Sequence, residues 1–125
     1  MTEKFLIDSN GWIEYFMSGA KSKEFKKYFR GNSSILASSI TFAEVASRFH
    51  SAGRASDVLF YLAALRQKAE IVEISETIAD EAGRLRIKHK LKLPDAIILA
   101  SAVVSNAVLV TLDSDFKGIE GVVVV

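Results

Sequence analysis

Short apolar runs and amphipathic stretches alternate along the chain, and the alternation predicts strands and helices in turn. Lys4 to Asp8 (KFLID) is an apolar run ending in an acid. Gly11 to Met17 (GWIEYFM) reads as a short helix that breaks at Ser18-Gly19. From Lys23 to Arg30, Phe25, Tyr28 and Phe29 share one helical face, expected to pack, while Lys23, Lys26, Lys27 and Arg30 surround the other. Ser34 to Ser38 follows as a second strand. Ser39-Ile40-Thr41 opens a helix to about His50, and a further helix spans Ala55 to Lys68 after Gly53. Ile71 to Ile74 is a third strand. Ser75 to Lys90 forms a long amphipathic helix, N-capped by Ser75, with Ile78, Ala82, Leu85 and Ile87 as its apolar positions.

The pattern changes in the last third. From Leu93 to Leu112 the chain carries a single charge, Asp95, directly after Pro94, the only proline. Proline is tolerated in the first turn of a helix and nowhere later, so Leu93-Pro94 begins a buried helix. Asp95, Ser101, Ser105 and Asn106 interrupt the stretch, which favours a buried helix and strand over a membrane span. Ala107 to Leu112 is the fourth strand, Asp113 to Lys117 a turn or short helix, and Gly121 to Val125 the fifth strand. Five strands separated by helices imply an α/β fold, a three-layer α/β/α sandwich around a mainly parallel five-stranded sheet. The GVVVV strand would pair edge to edge if bare, so it is expected to be covered or paired.

Composition narrows the picture. The 125 residues, half of them hydrophobic, fit one compact domain over positions 1–125, with no internal repeat or linker. The absence of cysteine excludes disulfides and thiolate metal sites. MTEKFLID carries no basic leader or apolar signal core, so a cytoplasmic setting is expected. Neither GxGxxG nor GxxxxGK occurs, which disfavours a phosphate-cradling glycine loop.

The acids carry the chemistry. An ionised carboxylate buried without a partner costs several kcal/mol, so Asp95 needs a cation, a hydrogen-bond cage or water. In an open parallel sheet, ligands bind outside the carboxyl ends of the strands, where strand order reverses. Asp8 ends strand one and Asp113 follows strand four, while Asp95 and Glu44 lie in the first turns of helices beside them. Singly, each has an ordinary role: a helix cap for Asp8, a dipole partner for Asp95, an Asx turn for Asp113, a solvated helix position for Glu44. Together, four carboxylates at one address repel one another, and a divalent cation resolves the repulsion. His50 and His89 are the only imidazoles and are read as surface or supporting residues. The remaining ligands are hard oxygens, which suit Mg²⁺ or Mn²⁺. Such sites hydrolyse phosphodiesters. A phosphatase or receiver domain also places an Asp after strand one, but Asp8-Ser9-Asn10 lacks a second acid two residues on.

Charge leaves two basic groups to consider. The formal net charge of +1 becomes +5 if the four acids are neutralised. Arg84, Arg86, Lys88, Lys90 and Lys92 form one group, and Lys21, Lys23, Lys26, Lys27 and Arg30 another. Either is a candidate to track a phosphate backbone, although solvated helix faces are the commoner origin of such groups.

FLIDSN (Phe5 to Asn10), SSITFAEV (Ser38 to Val45), LKLPDAIILASAV (Leu91 to Val103) and LVTLDSDF (Leu109 to Phe116) resemble the four acidic motifs of PIN-domain nucleases, in order and across nearly the whole chain. Within that family the chain resembles the small VapC-like toxins of toxin–antitoxin pairs, which are metal-dependent endoribonucleases. The resemblance implies that Asp8, Glu44, Asp95 and Asp113 form a catalytic, metal-binding quartet. Ser9, Asn10, Thr111 and Asp115 then support it, with Asp115 an alternative to Asp113 as the direct ligand. It further implies Mg²⁺ or Mn²⁺, an RNA substrate cut to 5′-phosphate and 3′-hydroxyl ends, an antitoxin partner and a homodimer. A housekeeping RNA-processing nuclease and a catalytically inactive interaction domain are the alternatives.

Overall fold

In the computed structural model the described residues are 3–125; Met1 and Thr2, at the head of the N-terminal segment considered above, lie outside them. Five strands form the sheet: β1 (Lys4–Ile7), β2 (Ser34–Ser38), β3 (Glu70–Val72), β4 (Val108–Thr111) and β5 (Val122–Val124). Between them run α1 (Ser9–Phe16), α2 (Ser22–Arg30), α3 (Ile40–Ser51), α4 (Val58–Lys68), α5 (Glu76–His89) and α6 (Leu93–Val104). Strand order is β3-β2-β1-β4-β5, and every pairing is parallel, so the expected mainly parallel sheet is wholly parallel. Among the described residues, no helix is long and apolar enough to cross a membrane.

Alternation along the strands builds the three layers. Leu6, Leu36 and Leu109 point to one face, where they pack with Ile78, Ala82 and Leu85 of α5 and Ala96, Leu99 and Ala102 of α6. Ile7, Ile35, Ala37 and Val110 point to the other and meet Trp12, Phe25, Val45, Phe49 and Leu65, from α1 to α4. Phe25 is buried there, Tyr28 meets Phe5 edge-on, and Phe29 packs on Trp12 and Tyr15, so the aromatic face of α2 is core.

Several boundaries move from expectation. α1 starts at Ser9, because Asp8 caps it. The segment expected as one helix from Ala55 opens with a 3-10 turn, Ala55–Asp57, before α4. β3 ends at Val72, leaving Ile74 exposed. Ile87 is 71% exposed and does not join the core. Strand β5 pairs with β4 on one side only and is a sheet edge, with Val123 exposed. Its three-residue length limits what it presents for pairing.

Candidate active site

Strand order reverses between β1 and β4, which pair with Ile7 opposite Val110. Asp8 follows β1 and caps α1, its Oδ1 accepting from the Gly11 amide at 2.8 Å. A Cβ at Gly11 would lie 2.7 Å from both Ile7 and Phe25, so glycine lets the first turn of α1 sit this close to the strand it leaves. The other oxygen, Oδ2, accepts from the Thr111 hydroxyl. That hydroxyl accepts in turn from the Asp113 amide at 3.0 Å, and Asp113 Oδ1 accepts from the Asp115 amide at 2.8 Å, capping a 3-10 turn over Ser114–Phe116. A chain of hydrogen bonds thus runs from Asp8 through Thr111 to Asp113 across the switch point.

A second chain runs toward α3. The Ser9 hydroxyl donates to Glu44 Oε1 at 2.7 Å and stands 3.2 Å from the Thr41 hydroxyl. Asp8, Ser9, Asn10, Glu44 and Asp95 border one crevice of about 510 Å³. Asn10 and Asp113 border an adjoining hollow of about 430 Å³. All four acids therefore open on connected surface at the carboxyl edge of the sheet.

Burial and mutual repulsion set the electrostatics. Burial pushes the Asp8 carboxyl up to about 6; hydrogen bonds from Thr111 and Gly11 oppose this, and the charges of Asp113 and Asp95 add to it. Partial burial likewise raises Asp95, reinforced by Asp113 and Glu44 and opposed by Lys92. Among the described residues no three carboxylates or imidazoles stand close enough to form a ready-made ligand set. Asp8 and Glu44 instead turn oxygens onto Thr111, Gly11 and Ser9. The donors are nevertheless all hard oxygens, and their mutual repulsion fits a divalent cation of the Mg²⁺ type in chemistry and in charge.

Of the expected site residues, Asp8, Ser9, Asn10, Glu44, Asp95, Thr111 and Asp113 come together. Asp115 is exposed and borders neither crevice, although its charge acts on Asp95. His50 is exposed and, like His89, borders neither. Neither basic group borders the acid-bearing crevices. Two residues escaped sequence reasoning. Thr41 is fully buried against Ser9, and Arg48 borders both crevices. They lie three residues before and four after Glu44, a spacing that puts them on its helical face and was available in the sequence.

The acids thus open on the carboxyl edge of a parallel sheet at its switch point, the place where open α/β sheets bind ligands. The chain belongs to the PIN domain family, whose model matches residues 5–122. It is similar to a protein in a toxin–antitoxin complex from Klebsiella pneumoniae, with 34% identity over 94% of each chain and a TM-score of 0.75. It shares its fold with a chain of VapBC2 from Rickettsia felis bound to a promoter DNA fragment, at 20% identity, 98% and 97% coverage of this and that chain, and a TM-score of 0.78. It also shares it with Mycobacterium tuberculosis VapC20, a sarcin-ricin loop cleaving toxin, at 12% identity, 90% and 91% coverage, and a TM-score of 0.72. No curated protein matches the chain significantly.

Proposed function

We propose that this PIN domain is a divalent-metal-dependent endoribonuclease acting as the toxin of a toxin–antitoxin pair. The observation that carries the reading is the gathering of Asp8, Glu44, Asp95 and Asp113 around connected crevices where β1 meets β4. These four would hold Mg²⁺ or Mn²⁺. Such a cation, when bound, lowers the pKa of water and stabilises charge on a departing oxygen. The chain's own residues prepare the site. Thr111 holds Asp8 with its hydroxyl proton and receives the Asp113 amide, so one hydroxyl sets the relation between two acids. Ser9 steadies Glu44. Asp113, half-buried at the strand end, is favoured over exposed Asp115 as the direct ligand. Asn10, exposed where the crevices join, offers its amide to substrate or water.

The 34% identity to a protein of a toxin–antitoxin complex supports a cognate antitoxin partner. A homodimer and a cytoplasmic setting complete the reading. The test is cleavage of a mixed, labelled RNA pool by purified protein with Mg²⁺, Mn²⁺ or EDTA, alongside Asp95→Asn. The expected result is metal-dependent cutting that the substitution abolishes. Cutting that persists in Asp95→Asn removes the assigned site; no cutting together with no metal binding by calorimetry favours an interaction domain. Growth arrest on expression, relieved by a neighbouring small gene, separates a toxin from a housekeeping nuclease.

A further inference from the structure

The acidic surface holds one cation that no described interaction uses. Arg48 stands on α3 one turn beyond Glu44 and is exposed. It borders the crevice of Asp8, Glu44 and Asp95, the hollow of Asp113, and a third hollow of about 260 Å³. Among the described residues, no other basic side chain borders either acid-bearing crevice. The ion pairs among the described residues are Lys27–Glu24, Arg54–Asp57 and Arg84–Glu81, and the Arg48 guanidinium joins none of them. Glu14, which borders both the second and the third hollow with Arg48, is held elsewhere. Its Oε1 accepts from the Lys21 amide at 3.0 Å, and its carboxylate lies so close to Gly19 that a Cβ there would collide with it. The cation that acts on Asp95 is Lys92.

The third hollow differs in kind from the other two. Ile13, Met17, Phe49 and Ala52 give it a largely apolar lining, and Glu14, Arg48 and Arg54 border it. Arg54 is already engaged: it stands 2.8 Å from Asp57, lies over the Phe49 ring and donates to the Met17 sulfur at 3.0 Å, so it forms one wall of the hollow. An apolar slot between a stacked arginine and an unengaged one suits a planar base whose backbone phosphate reaches the unengaged guanidinium.

We infer that Arg48 holds the RNA phosphate beside the bond that is cut, and that the third hollow seats the base attached to that phosphate. The inference rests on the nuclease reading and deepens it. The cation held by the acids leaves the rest of the strand unplaced, and a guanidinium that offers paired N–H donors fixes where its backbone lies.

The test follows cleavage of a mapped single-stranded RNA target at fixed Mg²⁺ over rising salt, for the wild type, Arg48→Gln and Arg48→Lys. Arg48→Gln is expected to lower kcat/KM about tenfold or more, chiefly through KM. Losing one phosphate contact also shrinks the slope of log kcat/KM against log salt by about 0.7. Arg48→Lys restores the slope, a readout that a purely structural role would not move. Ala52→Leu, on the rim of the third hollow, is expected to keep the slope and change the preferred flanking base. A wild-type slope in Arg48→Gln overturns the phosphate contact and leaves the nuclease reading standing. An unchanged base preference in Ala52→Leu overturns the base seat. If Arg48→Gln cuts normally but escapes inhibition by an acidic protein partner, Arg48 belongs to that partner. A wild type that cuts no RNA overturns both readings.

Discussion

Asp8 accepts a hydrogen bond on each carboxylate oxygen and still has its pKa pushed up to about 6, because burial outweighs both bonds. Between the unfolded value of 3.8 and about 6, the folded protein holds a proton that the unfolded chain has released. The stabilising contribution is therefore complete below about pH 4 and lost as pH rises through 6, a difference of about 3 kcal/mol. Denaturation in EDTA from pH 4.5 to 7.5 should show Asp8→Asn gaining stability relative to the wild type as pH rises. A constant difference across that range would contradict the assigned cause. Added Mg²⁺ at pH 7.5 should raise the wild-type midpoint and leave the variant nearly unmoved, since a ligand that binds only the folded state stabilises it.

The helices show which local signals survive folding and which tertiary packing overrides. Ser75 caps α5 as read, its hydroxyl accepting from the Ile78 amide at 3.2 Å, and Pro94 sits in the first turn of α6. Ile87 failed as a core position for a geometric reason. It lies two residues past Leu85, about 200° around the helix, while Ile78, Ala82 and Leu85 keep to one side. The C-cap of α5 was not legible. Lys90 adopts the left-handed conformation with φ 56°, and nothing in its side chain announces it. Lys90→Gly removes the Cβ strain and is expected to stabilise the protein by about 0.5–1 kcal/mol, measured by urea denaturation.

For the whole molecule, the order β3-β2-β1-β4-β5 turns four scattered acids into one surface and leaves β5 at an edge. Val123, 41% exposed on that edge, should matter more to association than to folding. Val123→Lys is expected to slow aggregation on heating while shifting stability by less than about 0.5 kcal/mol. Light scattering and denaturation, run together, separate the two effects. A large loss of stability would mean that the Val123 side chain is packed rather than facing water.

Periodicity in the sequence determined the elements, because a strand buried on both faces and a helix with one apolar side leave different spacings whatever they pack against. The same residues exposed the acids: Asp95 stood out as the one charge between Leu93 and Leu112, and the four motifs carried the family resemblance. Tertiary structure decided the rest. The pairing of Ile7 with Val110, which sets Thr111 against Asp8 across more than a hundred residues, follows from how the strands are ordered, and strand order leaves no local trace. The raised pKa of Asp8, the seating of Ser9 between Thr41 and Glu44, and the position of Arg48 at the meeting of three hollows arise the same way. Each depends on distances between segments remote in sequence, and only the packed sheet and its flanking helices set those distances.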